Sequence, residues 1–401
     1  MRTSFDAIIC GAGPAGSSAA ILLARAGWSV ALVEKQQFPR RKVCGECIAA
    51  SNLPLLEALG VGAAFEAVAG PELRKVAFMN GCRHLIADLP AAAHAKYRWG
   101  RALGRETLDT LLLAQARSSG ALVLQPMSMQ AIAGTAGAWN FHVRPKNSQA
   151  LITLHAPVAI DAHGSWETLP SAHARERQAH RASDLFAFKA NFRHASLEAG
   201  LLPVLSFEGG YGGMVVADAD MTTLACCIRR DRLEAWRHAM PQRSAGDVVE
   251  VMLKRSCAGV RVALQSASRI STWLSAGPLD PGIRLGANDA IFRIGNAAGE
   301  AHPIIGEGIS MALQSAKLLC THLLETNRCS KASGASWQRD VAQRYAAEWH
   351  RHFKSRLWLA AAFAQLAMRP PSAALLMALV RSRPSLLTQS ARWAGKVNCA
   401  I

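Results

Sequence analysis

The chain has 401 residues, half of them hydrophobic and 18% charged, a balance that supports a sizeable core and sets general disorder aside. Lysine and arginine outnumber the acids to give a net charge of +17, which attracts polyanions such as anionic membrane, acidic small molecules or carriers. The basic residues are spread along the whole chain, and no basic run interleaved with aromatics sits on a nucleic-acid fold, so a nucleic-acid partner is not expected.

Residues 5–10 read as a short buried strand, and Gly11 to Gly16 as a turn. An Ala- and Leu-rich helix over 15–26 stops at Gly27, and 29–34 form a second strand, which is the order of a βαβ unit. Segments 75–79, 184–193, 204–208, 213–217 and 222–228 are β-rich with turn residues between them and read as antiparallel strands. A helix over 106–119 follows Arg105, and a strand over 121–125 follows Gly120. Strand 156–161 leads into His163-Gly164-Ser165; strand 290–294 ends at Gly295, and 306–324 resume as a helix. Residues 328–336 look like a linker, and the tail beyond them is helical, with prolines at 370, 371 and 384. The chain therefore reads as α/β, with a Rossmann-like domain assembled from 1–72, 98–170 and 272–327. An antiparallel β-sheet domain from 73–97 and 171–271 is inserted into it, and 337–401 form a helical C-terminal region.

The ten cysteines form no disulfide framework, which points to a reducing cytosol. Cys44 and Cys47 make one Cys-x-x-Cys, and with no second pair two free thiols are favoured over a metal site or a redox dithiol. The apolar run at the start leads straight into the glycine turn with no cleavage region, so no signal peptide is expected. No apolar run reaches the length of about 18 residues that a transmembrane helix needs.

Chemistry concentrates in five motifs. The first is Gly11-x-Gly13-x-x-Gly16 between a strand and a helix, with Glu34 ending the next strand about 20 residues on. Gly11 allows the tight turn, Gly13 lets backbone approach a pyrophosphate, and Gly16 lets helix and strand pack closely. The helix N-terminus then meets the phosphates, and Glu34 can accept from ribose hydroxyls. The second is Gly295-Asn296-Ala297-Ala298-Gly299, followed by Pro303 and Gly306-Glu307-Gly308-Ile309 before a helix. The third is Phe38-Pro39-Arg40-Arg41-Lys42-Val43-Cys44-Gly45-Glu46, whose cations can neutralise phosphates. The fourth is Arg105-x-x-Leu108-Asp109, and the fifth Asp161-Ala162-His163-Gly164-Ser165-Trp166.

Together these motifs resemble the p-hydroxybenzoate hydroxylase fold of FAD-dependent oxidoreductases, and the third resembles its geranylgeranyl reductase-like branch. His163 and Asn296 depart from that pattern, which usually has Asp at both. The resemblance implies FAD, held by Gly11, Gly13, Pro14, Ala15, Gly16, Glu34, Lys35, Arg41, Cys44, Gly45 and Arg105. It extends the set to Gly164, Asn296, Pro303, Gly306, Gly308 and Ile309, with Gly209 to Gly213 as a turn bordering the substrate. No second glycine fingerprint is present, so NAD(P)H is expected as a transient reductant.

Flavin chemistry leaves open reduction of an apolar isoprenoid, lipid or polyketide-like substrate, or hydroxylation of an aromatic or polyketide one through a flavin C4a-hydroperoxide. The Gly-Glu-Gly-Ile form at 306–309 leans toward the reductase. Halogenation ranks lower, because no Trp-x-Trp-x-Ile-Pro run is present. His302 is the first acid–base candidate by position, with Glu46 and Tyr211 behind it and Glu307 beside them. Phe186, Phe188, Phe192, Leu205, Phe207, Tyr211, Met214 and Val216 are expected to divide between a core face and a substrate face of the inserted sheet. A reading of another class is a non-catalytic flavoprotein that docks peripherally on the inner face of a membrane through the basic, Leu- and Trp-bearing stretch 356–368. A core-packed helix pair capping the substrate channel is favoured for that stretch over lipid contact.

Overall fold

The structure is a computed structural model that describes residues 2–165, 180–329, 334–383, 386, 388 and 389. Trp166 and much of the stretch expected to open the inserted domain lie outside the described residues, as do Pro384 and the end of the tail.

All four residues of Ala7–Cys10 and of Val30–Val33 are buried. Strands with both faces apolar belong in a parallel sheet covered on both sides. Ala7–Cys10 takes the middle of a five-stranded sheet, paired in parallel with Val30–Val33 and Val158–Asp161. Leu122–Leu124 and Phe292–Arg293 form its edges, so three distant segments build one Rossmann-type sheet. Helices Pro14–Arg25 and Gly308–Cys329 pack on one face through residues such as Ala19, Ile21, Leu313 and Ala316. The other face carries a three-stranded antiparallel sheet of Met127–Thr135, Ala138–Pro145 and Ile152–Ala156. That small sheet is absent from the sequence reading.

The inserted sheet has eight strands. Its centre runs Leu185–Arg193, Thr222–Arg229, Gly210–Val216 and Leu201–Phe207, all antiparallel. Lys75–Asn80 departs from expectation: it pairs antiparallel with Arg83–Asp88 but parallel with Leu201–Phe207. The chain enters this sheet on two separate excursions, so adjacent strands from different excursions need no hairpin between them. Leu274–Ala276, assigned by sequence to the Rossmann domain, also joins this sheet, on Leu185–Arg193.

Helices Arg230–His238, Ala245–Ser256 and Ala258–Ala263 cover one face of the sheet. Phe188, Phe192, Leu205, Phe207 and Met214 fill that core, with Phe186 packed against it. The expected sharing between faces is uneven, and Phe188 and Met214 of this core also reach the cavity that Tyr211 lines. Of the eight named apolar residues, Tyr211 alone joins the cluster on the opposite face, with Leu185, Ala187, Cys227 and Ile304. Strand alternation explains the split, since 185 and 187 turn away from 186 and 188.

The tail forms a long helix, Ala335–Ala367, and a shorter one, Pro370–Ser382, bent by 108° relative to it. Phe353, Leu357, Ala360 and Ala364 are buried, which supports the core-packed reading of 356–368 for one side of the helix. No single helix among the described residues is long and apolar enough to cross a membrane.

Candidate functional site

The glycine turn shows three different demands. Gly11 has φ of +103°, and a Cβ there would lie 2.6 Å from the carbonyl oxygen of Ala162. A Cβ on Gly16 would sit 1.8 Å from the Gly11 oxygen, so helix and strand pack too closely for any side chain. Gly13 is different: its φ of −68° suits any residue, and a Cβ would meet nothing nearer than the Arg105 guanidinium at 3.7 Å. The space beside Gly13 belongs to the cavity. No side chain caps the helix Pro14–Arg25, so its first N–H groups are left to whatever fills that space.

Three cations converge there. Arg105 is buried and forms a two-pronged bond to Asp109, at 2.7 Å each. Arg40 lies 3.6 Å from Glu34 and 3.8 Å from Asp109, and its Nε is buried with no partner. The amine of Lys42 is 3.3 Å from where a Cβ on Gly164 would be, and makes no ion pair among the described residues. Its removal from water, helped by Arg105 and Arg40, lowers its pKa to about 8. A cluster with one unpaired amine and a stranded guanidinium nitrogen, at the end of an uncapped helix, fits a pyrophosphate.

The segment 40–42 corrects one expectation and supplies two residues that the expected set lacked. Arg40 and Lys42 approach Gly13 and Gly164, while Arg41 lines a separate cleft with Pro39, Gly104 and Asn191. Successive residues of an extended chain point to opposite sides. Lys35 is exposed and does not line the cavity. Glu34 is buried, and its carboxylate accepts from the N–H of Ala12 at 3.0 Å and of Gln36 at 2.9 Å, which fixes the turn.

The cavity, about 320 Å³, runs from Gly13, Pro14 and Ala15 past Cys44, Gly45 and Arg105. Gly164, Asn296, Pro303, Gly306, Gly308 and Ile309 form its far wall. No atom lies within 4 Å of a Cβ position on Gly308, so the loop presents bare backbone to the cavity. Asn296 donates to Ser165 Oγ at 2.8 Å, and Ser165 donates to Glu300 at 2.9 Å. Arg284 pairs with Glu300 at 3.0 Å. His163 bonds Asp161 in its own loop. Cys44 and Cys47 are both free thiols in this structure.

Beyond the glycine loops the cavity becomes apolar, lined by Val76, Phe78, Val204, Ile304, Leu359 and Phe363. Two of the three acid–base candidates, Glu46 and Tyr211, line it as well. Glu46 has φ of +61°, a strained value for a side chain with a Cβ. Its carboxylate is saturated by Lys189, by Thr223 at 2.6 Å and by the N–H of Arg105 at 2.9 Å. Those are the contacts of a joint between flavin loop and sheet, not of a proton carrier. His302 does not line the cavity; it stands behind Tyr211, whose hydroxyl is 3.2 Å from His302 Nδ1. Burial pushes the imidazole below its usual range and the phenol, which also hydrogen-bonds the Cys227 thiol, well above its own. Both groups are neutral near pH 7, and Tyr211 is the one that faces the cavity.

Known proteins share this architecture. The myxobacterial chondrochloren halogenase matches with a TM-score of 0.75 at 19% identity, over 97% of this chain and 93% of that one. A geranylgeranyl bacteriochlorophyll reductase-like protein of Thermoplasma acidophilum matches with a TM-score of 0.71 at 16% identity, over 98% of this chain and all of the other. In sequence, the tryptophan 2-halogenase of Chondromyces crocatus is 25% identical over 338 residues, 79% of this chain. The alignment spans only 60% of that relative's length. Halogenases thus stand beside the reductase-like branch among the similar proteins, which the sequence reading had ranked lower. A family model described as FAD binding domain matches residues 4–346. The chain belongs to the FAD binding domain family.

Proposed function

We propose that the protein transforms an apolar substrate seated between the flavin loops and the inserted sheet, with NAD(P)H as a visiting reductant. The observation that carries this is the continuity of one cavity from the phosphate-binding turn to a wall of Val76, Phe78, Val204 and Phe363. Bound FAD would supply hydride transfer, and Arg40, Lys42, Arg105 and the loop at 306–309 would hold it. The apolar wall excludes water from the reacting end. Tyr211 donates a hydrogen bond to an oxygen or developing anion of the substrate, and His302 fixes the phenol's direction. Glu46 and Lys189 keep the flavin loop registered on the sheet.

Reductase-type chemistry is the first reading. A second reading, in which the reduced cofactor works with oxygen, is favoured by the similarity to halogenases. One experiment tests both. Prenyl, acyl and aromatic compounds are scored for stimulation of NAD(P)H oxidation with and without oxygen, and products are weighed with chloride or bromide present. Anaerobic product formation supports the reductase. Product that needs oxygen, with or without halide, supports the second reading. Tight binding of small polar acids, with no response to any long apolar compound, overturns the substrate class.

A further inference from the structure

The outer side of the C-terminal helix pair differs from the rest of the surface. Of ten large hydrophobic side chains exposed among the described residues, four lie on these two helices: Trp358, Leu366, Leu375 and Leu379. Trp358 is 70% exposed and Leu375 62%. A fifth, Ile86, sits on the strand Arg83–Asp88, against which the terminal helix packs. Trp358, Ala362 and Leu366 fall at helical spacing on the side opposite Leu357, Ala360 and Ala364, and Leu375 and Leu379 stand one turn apart.

The charge on the helix pair beyond Glu348 has one sign. Lys354, Arg369, Arg381 and Arg383 are exposed and have no carboxylate within ion-pair distance among the described residues. From Trp349 to Ile401 the sequence contains no aspartate or glutamate. On the two helices the apolar stripe is flanked by cations, with Asp88 next to Ile86 on the neighbouring strand, and that excess of positive charge suits a surface that is itself apolar beneath a layer of negative charge. A protein partner would need an apolar patch rimmed with acids, and a second copy of this chain would bring like charges together. The helix pair is bent by 108°, so the two helices do not form a straight span and are suited to lying in an interface.

We propose that this helix pair docks the protein peripherally on an anionic phospholipid bilayer, with Trp358, Leu366, Leu375 and Leu379 in the acyl boundary and the four cations among the headgroups. The same long helix lines the cavity from the inside with Leu359 and Phe363. Docking would therefore bring lipid next to the wall of the apolar cavity, a route for a lipid-soluble substrate. The route rests on the proposed function; the docking does not.

The test is flotation of the full-length, flavin-loaded protein with vesicles of equal parts phosphatidylglycerol and phosphatidylcholine, or of phosphatidylcholine alone. The expected result is binding to the anionic vesicles, weakened by salt and by omission of the anionic lipid. Trp358→Glu with Leu375→Glu and Leu379→Glu should lower the vesicle partition coefficient roughly tenfold or more. All three positions are exposed, so flavin content and circular dichroism should be unchanged. A second variant, Lys354→Glu with Arg369→Glu and Arg381→Glu, removes the charge without touching the apolar stripe and should lower binding similarly. Absence of binding to anionic vesicles overturns the proposal, as does binding by both variants that equals that of the wild type. It is also overturned if the wild type forms a concentration-dependent dimer in lipid-free buffer that the apolar variant abolishes. None of these readouts requires turnover, so failure of the substrate assignment leaves the docking result intact.

Discussion

Arg356 on the long C-terminal helix forms a buried ion pair with Glu307, tying that helix directly to the loop that presents Gly306 and Gly308 to the flavin cavity. The guanidinium also donates to Gln314 at 2.8 Å, and Gln314 donates to Asn52 at 2.9 Å. Glu307 is fully buried, so Arg356→Met strands a carboxylate. The expected cost is about 3–5 kcal/mol. Adding Glu307→Gln to Arg356→Met should recover part of the loss, because the stranded charge is gone. Urea denaturation of both single variants and the double variant measures the coupling, and flavin absorbance reports the loop. Equal stability of Arg356→Met and wild type would mean that the pair does not hold the loop.

The second and third glycines of the fingerprint should respond differently. Gly13 has an ordinary φ and open space beside it, so Gly13→Val should melt near wild type yet purify without flavin. Gly16→Ala places a methyl into the Gly11 carbonyl and should destabilise the fold itself, by about 1–3 kcal/mol or more. Thermal melts beside flavin-to-protein absorbance ratios separate the two effects. A Gly13→Val protein that keeps its flavin would remove the pyrophosphate from this turn.

Lys42 gives flavin affinity a pH dependence of definite sign. Without cofactor its amine titrates at about 8, held down by removal from water and by Arg105 and Arg40. Phosphate oxygens beside it would raise that value, so binding takes up a proton above pH 8. Affinity should be constant below about pH 8 and fall as pH rises past it, by up to about tenfold per unit until the bound amine also titrates. Lys42→Met should bind FAD more weakly below pH 8 and lose this slope. Fluorescence titration of FAD into apoprotein across pH 6 to 10 measures both; a slope that persists in Lys42→Met would assign the proton elsewhere.

Tyr211 and His302 divide the work of one hydrogen bond, 3.2 Å long. Tyr211→Phe removes the only hydroxyl of the pair and should lower kcat by about a hundredfold with flavin content unchanged. His302→Gln should cost less, because it disturbs direction and not the donor. With the imidazole held below its usual range and the phenol above its own, the rate should be flat through neutral pH. It should fall in acid as His302 gains a proton and sets a charge behind Tyr211. That acid limb should vanish in His302→Gln, a change that a purely structural role would not produce.

Much of the flavin half was legible because its elements carry strong local signals. Gly11, Gly13, Gly16 and Glu34 are punctuation at fixed spacing, and the buried strands around them are short apolar runs. The direction of Arg40, Arg41 and Lys42 was not legible, since an extended loop has no periodic partner to fix which side each residue takes. The helices Arg230–His238 and Ala258–Ala263 escaped because both are short and the first is mostly charged, whereas Ala245–Ser256, capped by Ser244 and with Val248, Val249, Met252 and Leu253 on one face, carried a legible signal. His302 was misplaced relative to Tyr211 for a different reason. The two are 91 residues apart in sequence, and no local pattern says which one faces the cavity.

Asn296 carries the sharpest revision of a sequence-level expectation. The family pattern places Asp there, so Asn296→Asp would be expected to preserve or tighten FAD binding. In the structure the amide donates to Ser165 Oγ at 2.8 Å, and the Ser165 proton is already given to Glu300 at 2.9 Å. A carboxylate in place of the amide has no proton to donate, and it would face Glu300 across a single serine hydroxyl. Two anions would then compete for one donor, with Arg284 already engaged by Glu300 at 3.0 Å. The variant should therefore bind FAD more weakly near neutral pH, by about 1–3 kcal/mol. The like-charged neighbour should raise the pKa of the introduced carboxyl. As pH falls and that carboxyl takes up a proton it regains a donor, so the deficit relative to wild type should shrink toward pH 5. Isothermal titration of FAD into both apoproteins at neutral and acidic pH decides it. Tighter binding by the variant at pH 7 would mean that the ribityl chain, and not Ser165, takes the side chain of residue 296 in the holoenzyme.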